Sequence, residues 1–101
     1  MPELKIGMIG PGMRGISLTA RAVLKGNKKE VETKFGAAAV SYAVLEDETG
    51  SIRLNLWRSQ IDSVGTGDIV KLTNAFVRVY ADQMELNIGS DGRIDVLERG
   101  S

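Results

Sequence analysis

The 101-residue chain contains no cysteine and no histidine. The first absence removes disulfides and thiolate metal sites. The second removes the commonest zinc ligand and the side chain that most often moves protons near neutral pH. No apolar run approaches the roughly 20 residues of a membrane-spanning helix. Residues 1–25 carry no signal-peptide pattern, because glycines and Arg14 break any apolar centre. A cytoplasmic, non-secreted protein is therefore expected. Charge of one sign is also missing, with 13 basic residues against 13 acidic ones. No strong overall field draws such a chain to a polyanion or a membrane, so any such affinity has to come from local placement of cations or from stacking. Aromatic residues make up 5% of the chain and include one tryptophan, so the place of each ring is informative. No catalytic constellation can be assembled from what remains. Enzyme activity, a metal site and a cofactor are not expected.

What the sequence does have is alternation. At 43% hydrophobic and 26% charged residues it reads as one globular domain, 1–101, with an ordered barrel over about residues 12–98. Residues 1–12 form a turn-rich lead-in. Gly10 and Gly15 have phosphate-loop spacing, but Ile16-Ser17 follows where Lys-Ser/Thr is required. Residues 15–25 set Ile16, Leu18, Ala20, Ala22 and Leu24 against Ser17, Thr19, Arg21, Val23 and Lys25, the pattern of a half-buried strand. A turn over Gly26–Lys29 follows, then a hairpin extension over Glu30–Phe35 and a second long strand over 37–48. Glu46-Asp47-Glu48 sits in a tight turn, where adjacent carboxylates point apart. Capping of backbone amides suits it better than metal binding. The closing Gly100-Ser101 is read as a cloning scar.

The third strand, Ser51–Trp57, puts Ile52, Leu54 and Leu56 on one side and Arg53, Asn55 and Trp57 on the other. A core tryptophan would share the side of the leucines, so Trp57 is expected outside. Arg58–Val64, with Ile61 and Val64 three apart, allows one or two helical turns capping the sheet, with Ser59 as N-cap. In the fourth strand, Ile69–Tyr80, the inward set is Val70 and Leu72 and then Ala75, Val77 and Val79. The parity flips once near Thr73-Asn74, which a β-bulge accomplishes by adding one residue. Phe76, Arg78 and Tyr80 then face outward. Met84–Ile88 is a fifth strand, 89–92 a loop and 93–97 a final extended piece. Five main strands with a short helix between the third and fourth predict an all-β, five-stranded Greek-key barrel, the OB-fold, whose outer face binds oligonucleotides or oligosaccharides.

Several segments carry a family resemblance: PGM at Pro11–Met13, EDETG at Glu46–Gly50, IRLNLW at Ile52–Trp57, GDIVKLTNAFV at Gly67–Val77 and ELNIG at Glu85–Gly89. Together, over roughly Ile6 to Leu97, the chain resembles the simple, single-OB-fold single-stranded DNA-binding proteins of archaea and their eukaryotic relatives in a DNA-damage sensor complex. The resemblance implies base stacking on Trp57, Phe76 and Tyr80, the rings that alternation places outward, and polar contacts from Lys29, Arg53 and Asn55. It also implies a role in replication, repair or recombination, with the protein associated with the nucleoid. Arg78 lies between two of the rings. Lys28, Lys29 and Lys34 flank the first hairpin, and Lys71 adds an outward cation on the fourth strand. The sequence departs from the family at Ala81-Asp82, where relatives carry a basic residue and glycine, and at Asp91, where they carry a base. The family's tail, which recruits protein partners, is not among these residues. The expected partner is single-stranded DNA, read without sequence preference. Single-stranded RNA or tRNA, or a protein partner in a repair complex, remains the alternative. The whole expectation requires the three rings to lie side by side on two neighbouring strands of the outer wall.

Overall fold

The first long strand closes the molecule. In the computed structural model, which describes residues 3–100, β1 (Ile16–Lys25) runs antiparallel to β5 (Ile69–Tyr80) through Ile16–Arg21. It then pairs with β3 (Gly36–Asp47) from Arg21 to Lys25. β3 pairs antiparallel with β4 (Gly50–Trp57), β4 runs parallel to β6 (Gln83–Glu98), and β6 returns antiparallel to β5. These pairings form a closed ring of five strands, the expected OB architecture. A short sixth strand, β2 (Lys29–Thr33), hangs on β3 outside the ring as the expected hairpin. Met1, Pro2 and Ser101, the outermost residues of the expected lead-in and scar, lie outside the described residues.

Inside the ring the alternating residues interlock. Ile16, Leu18, Leu45, Leu54, Leu56, Val64, Val70, Leu72 and Leu86 are completely buried. Truncating any such leucine to alanine typically costs about 2–5 kcal/mol. The parity flip in β5 is real. Ile16 pairs with Ala75 but Leu18 with Leu72, so Thr73 and Asn74 together oppose Ser17, and Asn74 takes φ 57. Val70 and Leu72 are buried before it, and Ala75 and Val77 after it. On the other side, Thr73 pairs with Arg93 and Ala75 with Ile88, leaving Asn74 opposite Gly89–Gly92. That excursion belongs to one continuous strand, β6, rather than to a loop between two separate pieces as the turn-forming residues suggested. β5 holds the chain on both sides of it.

Other expectations are corrected. Leu24 does not point inward, because a second register shift falls between Ala22 and Leu24 and leaves Val23 and Leu24 39% and 47% exposed. Val79 is half exposed, since β5 runs past the end of the core there. Residues 6–8 form a 3-10 turn rather than a plain lead-in, and Ile6 and Ile9 are buried in the core. Arg58–Ser63 is the expected short helix, of 3-10 type, and Ile61 and Val64 are buried. Ser59 is not its cap: the Trp57 N–H donates to Gln60 Oε1 at 3.0 Å instead.

The acidic turn caps amides, as its residues suggested. Asp47 accepts from the N–H groups of Ile6 (2.9 Å) and Thr49 (2.7 Å). Burial pushes the Asp47 carboxyl up, but these hydrogen bonds more than reverse that and leave it below the usual carboxylate range. The turn also has a basic neighbour that alternation did not reveal, for Lys5 pairs with Glu48 at 3.2 Å. At the far end of the chain, buried Asp68 accepts from the N–H groups of Gly100 (2.7 Å) and Gly65 (2.8 Å) and from Arg99.

Candidate nucleic-acid interface

The outer faces of β5, β6, β4 and β3 meet in rows fixed by strand register. Arg78 lies opposite Glu85, Glu85 opposite Arg53, and Arg53 opposite Val44. In the next row Phe76 lies opposite Asn87, and Tyr42 opposite Asn55. Trp57 pairs with Val40 one row further. Tyr80, opposite Gln83, stands one row beyond Arg78 at the other end. The three rings expected outside are therefore on the outer wall, with Trp57 and Phe76 half-buried and Tyr80 72% exposed. The required side-by-side arrangement on two neighbouring strands is not met: Trp57 is on β4, Phe76 and Tyr80 are on β5, and β6 runs between them, so what the rings share is one outer wall. That separation follows from the order of strands in the ring, which alternation within each strand does not contain.

A surface groove of about 250 Å³ gathers Trp57, Tyr80, Lys29, Val31, Val40, Arg53, Asn55 and Glu85. A neighbouring depression of about 200 Å³ holds Phe76 with Arg14, Asn74 and Gly89–Gly92. Arg78 is exposed between Phe76 and Tyr80. Lys28 is exposed just ahead of β2, and Lys34 sits at the hairpin tip with its Nζ 5.4 Å from the Phe35 ring centroid. Lys71 is not brought to this face. It lies ahead of the bulge, beside Thr19 and Asp95, and its Nζ is 3.7 Å from Glu3.

Beneath the groove the polar side chains are locked together. The Glu85 carboxylate, 12% exposed, lies 3.7 Å from Arg53 Nε and accepts from Asn55 Nδ2 at 2.8 Å. Because Asn55 must donate to that carboxylate, its second amide hydrogen meets Asn87 Oδ1 at 3.4 Å. Its own Oδ1 accepts from Arg53 Nε at 3.0 Å. The chain of donors leaves Asn87 Nδ2 covered and without a partner among the described residues. Arg53 is held from above as well, its guanidinium 4.0 Å from the Tyr42 ring centroid, a contact worth about 0.5–2 kcal/mol. Tyr42 in turn lies flat on Gly26, where a Cβ would come within 2.1 Å of the ring. Asn55 thus serves here to position Arg53 rather than standing free. The one carboxylate lining the groove, Glu85, is paired with Arg53, and the groove's two cations, Arg53 and Lys29, are both exposed.

The family model for the single-stranded DNA binding protein Ssb-like OB fold matches residues 9–96. The chain belongs to this family. The single-stranded DNA binding protein Ssb of Saccharolobus solfataricus is 34% identical over 92 residues, covering 91% of this chain and 62% of that protein. Replication factor A of Methanothermobacter thermautotrophicus is 31% identical over 80 residues, covering 78% of this chain and 10% of that protein. The chain therefore spans less than two thirds of the length of either relative. Among solved structures, the second OB-fold domain of replication protein A from Methanococcus maripaludis superposes with a TM-score of 0.79 at 27% identity, covering 99% of both chains.

Ala81-Asp82, the pair expected to depart from the family pattern, forms a defined turn. The two residues take φ 52 and 64, the geometry of a type I′ hairpin turn, directly after Tyr80. Sequence reasoning overlooked Tyr42, Arg14, Glu85 and Asn87. Glu85 and Asn87 could have been found from the alternation of Met84–Ile88, and Tyr42 from its place between Val40 and Val44. Nothing local marks Arg14, which reaches Phe76 only because the N-terminal segment crosses β5 through the Val77 N–H to Met13 O hydrogen bond.

Proposed function

We propose that this chain binds single-stranded DNA without strong sequence preference, in the service of replication and of repair or recombination. Trp57, Phe76 and Tyr80 stack bases, while Arg53, Arg78, Lys29 and Lys34 follow the phosphates and Asn55 holds Arg53 in place. Lys71 has no part in the contact, and no catalytic step is involved. The observation that carries the reading is the groove that joins Trp57 and Tyr80 to Lys29, Arg53 and Asn55. Its charge distribution supports the same orientation of the strand. With Glu85 already paired to Arg53, the exposed Arg53 and Lys29 are left to draw the phosphates, and the bases turn to the rings. Stacking contributes about 1–3 kcal/mol per base, which lets three platforms supply most of the affinity of a chain with no net charge.

The test is quenching of Trp57 fluorescence, with oligo(dT), the matching RNA and duplex DNA titrated side by side. Quenching by oligo(dT) but not by the duplex is expected, and Trp57→Ala, followed through a labelled oligonucleotide, loses more affinity than Arg53→Ala at moderate salt. Equal losses for the two variants, or quenching by duplex alone, would remove the stacking reading. Stronger quenching by RNA would reassign the ligand.

A further inference from the structure

Phe35 has the highest exposure of any large hydrophobic side chain among the described residues, at 82%. One exposed apolar residue is ordinary on a protein surface; its position is what sets this one apart. The β2–β3 hairpin pairs Lys29 with Val40, Val31 with Ala38 and Thr33 with Gly36 on one face. Glu30 and Glu32 pair with Ala39 and Ala37 on the other. Lys29, Val31 and Val40 line the groove. The hairpin therefore continues the groove with a face that bears a cation and no carboxylate, while both of its acids turn away.

Beyond Val31, the last hairpin residue to line the groove, the ladder extends two more residues to Thr33, about 7 Å at about 3.3 Å per residue. Its tip is fixed. The Thr33 hydroxyl donates to Gly36 O at 2.7 Å and accepts from the Phe35 N–H at 3.1 Å, and Gly36 closes the turn at φ 105. Lys34 places its ammonium over the Phe35 ring. An open ring face and an adjoining cation are the two chemistries that a nucleotide offers partners for, a base to stack and a phosphate to pair.

We infer that Phe35 is a fourth stacking platform, which takes a base of single-stranded DNA beyond the groove, with Lys34 on the neighbouring phosphate. This rests on the groove being a single-stranded DNA site, and the experiment separates the two. Wild type, Phe35→Ala, Phe35→Trp and Trp57→Ala are titrated with labelled oligo(dT) of about 5 and about 12 nucleotides, within the span of about 4–16 that one OB fold covers. Phe35→Ala should weaken the longer complex by about 5- to 150-fold, the equivalent of one stacked base, and leave the shorter one unchanged. Phe35→Trp should restore the longer complex. Wild-type affinity of Phe35→Ala for the longer oligonucleotide overturns the inference while Trp57→Ala still binds weakly. An equal loss on both lengths overturns it too, because the hairpin then serves only the shape of the groove. If the wild type binds neither oligonucleotide, the groove reading falls and the inference falls with it.

Discussion

Tyr80 offers the cleanest separation of binding from folding on this surface. Its side chain is 72% exposed at the end of β5, so Tyr80→Ala removes little buried area, and surface changes of this kind usually move stability by no more than about 0.5 kcal/mol. If the ring stacks a base, the same change removes about 1–3 kcal/mol of binding. With about 1.4 kcal/mol per tenfold, the expected loss of affinity is roughly 5- to 150-fold. Tyr80→Phe keeps the ring and should bind like the wild type. Trp57 remains in both variants as the fluorescent reporter, and urea unfolding of each checks the fold. Unaltered oligo(dT) binding by Tyr80→Ala would refute the reasoning. So would equal losses in the two variants, which would make the hydroxyl rather than the ring responsible.

Three further expectations concern the frame that holds the rings. Ala81 and Asp82 occupy a turn whose φ of 52 and 64 suit Asn-Gly, so the double change Ala81→Asn, Asp82→Gly should stabilise the chain by about 1 kcal/mol in urea unfolding. Loss of stability would contradict the turn geometry. Asn74→Val forces a β-branched residue to φ 57 and removes the bond to Asp91 O; it should cost about 1–3 kcal/mol, whereas Asn74→Gly should stay near wild type. The N–H groups of Gly100 and Gly65 hold the Asp68 carboxyl below its ordinary value. The unfolded chain thus takes up a proton at a higher pH than the folded one. The stability this group adds is present above the ordinary carboxylate range and is lost as pH falls through the folded-state value. Unfolding midpoints measured from neutral to acid pH should fall less for Asp68→Asn than for the wild type, and parallel curves would exclude this role.

Local alternation carried much of the fold. Because Val70 and Leu72 share one parity and Ala75 and Val77 the other, the bulge at Asn74 and the outward turn of Phe76 and Tyr80 were readable without coordinates. The corresponding irregularity in β1 was not, because Val23 and Leu24 are both apolar and either could have pointed inward. Gly89-Ser90-Asp91-Gly92 has the composition of a loop and becomes part of a strand only because β5 grips the chain on both sides. Tyr42 and Arg53 lie eleven positions apart in the sequence, and their contact exists only once β3 and β4 are in register. Strand order is non-local in the same way, and so the sequence could give the direction of each ring but not the distance between strands.

The placement of β6 between the ring-bearing strands sets the spacing of the rings. Two sheet steps put β4 and β5 about 10 Å apart, and Phe76 and Tyr80, four residues apart on one strand, are about 13 Å apart along it. Each ring is thus rooted at its own interval along and across the wall. The intervening strand is a spacer, and the barrel's own strand order sets the interval at which successive aromatic surfaces are offered.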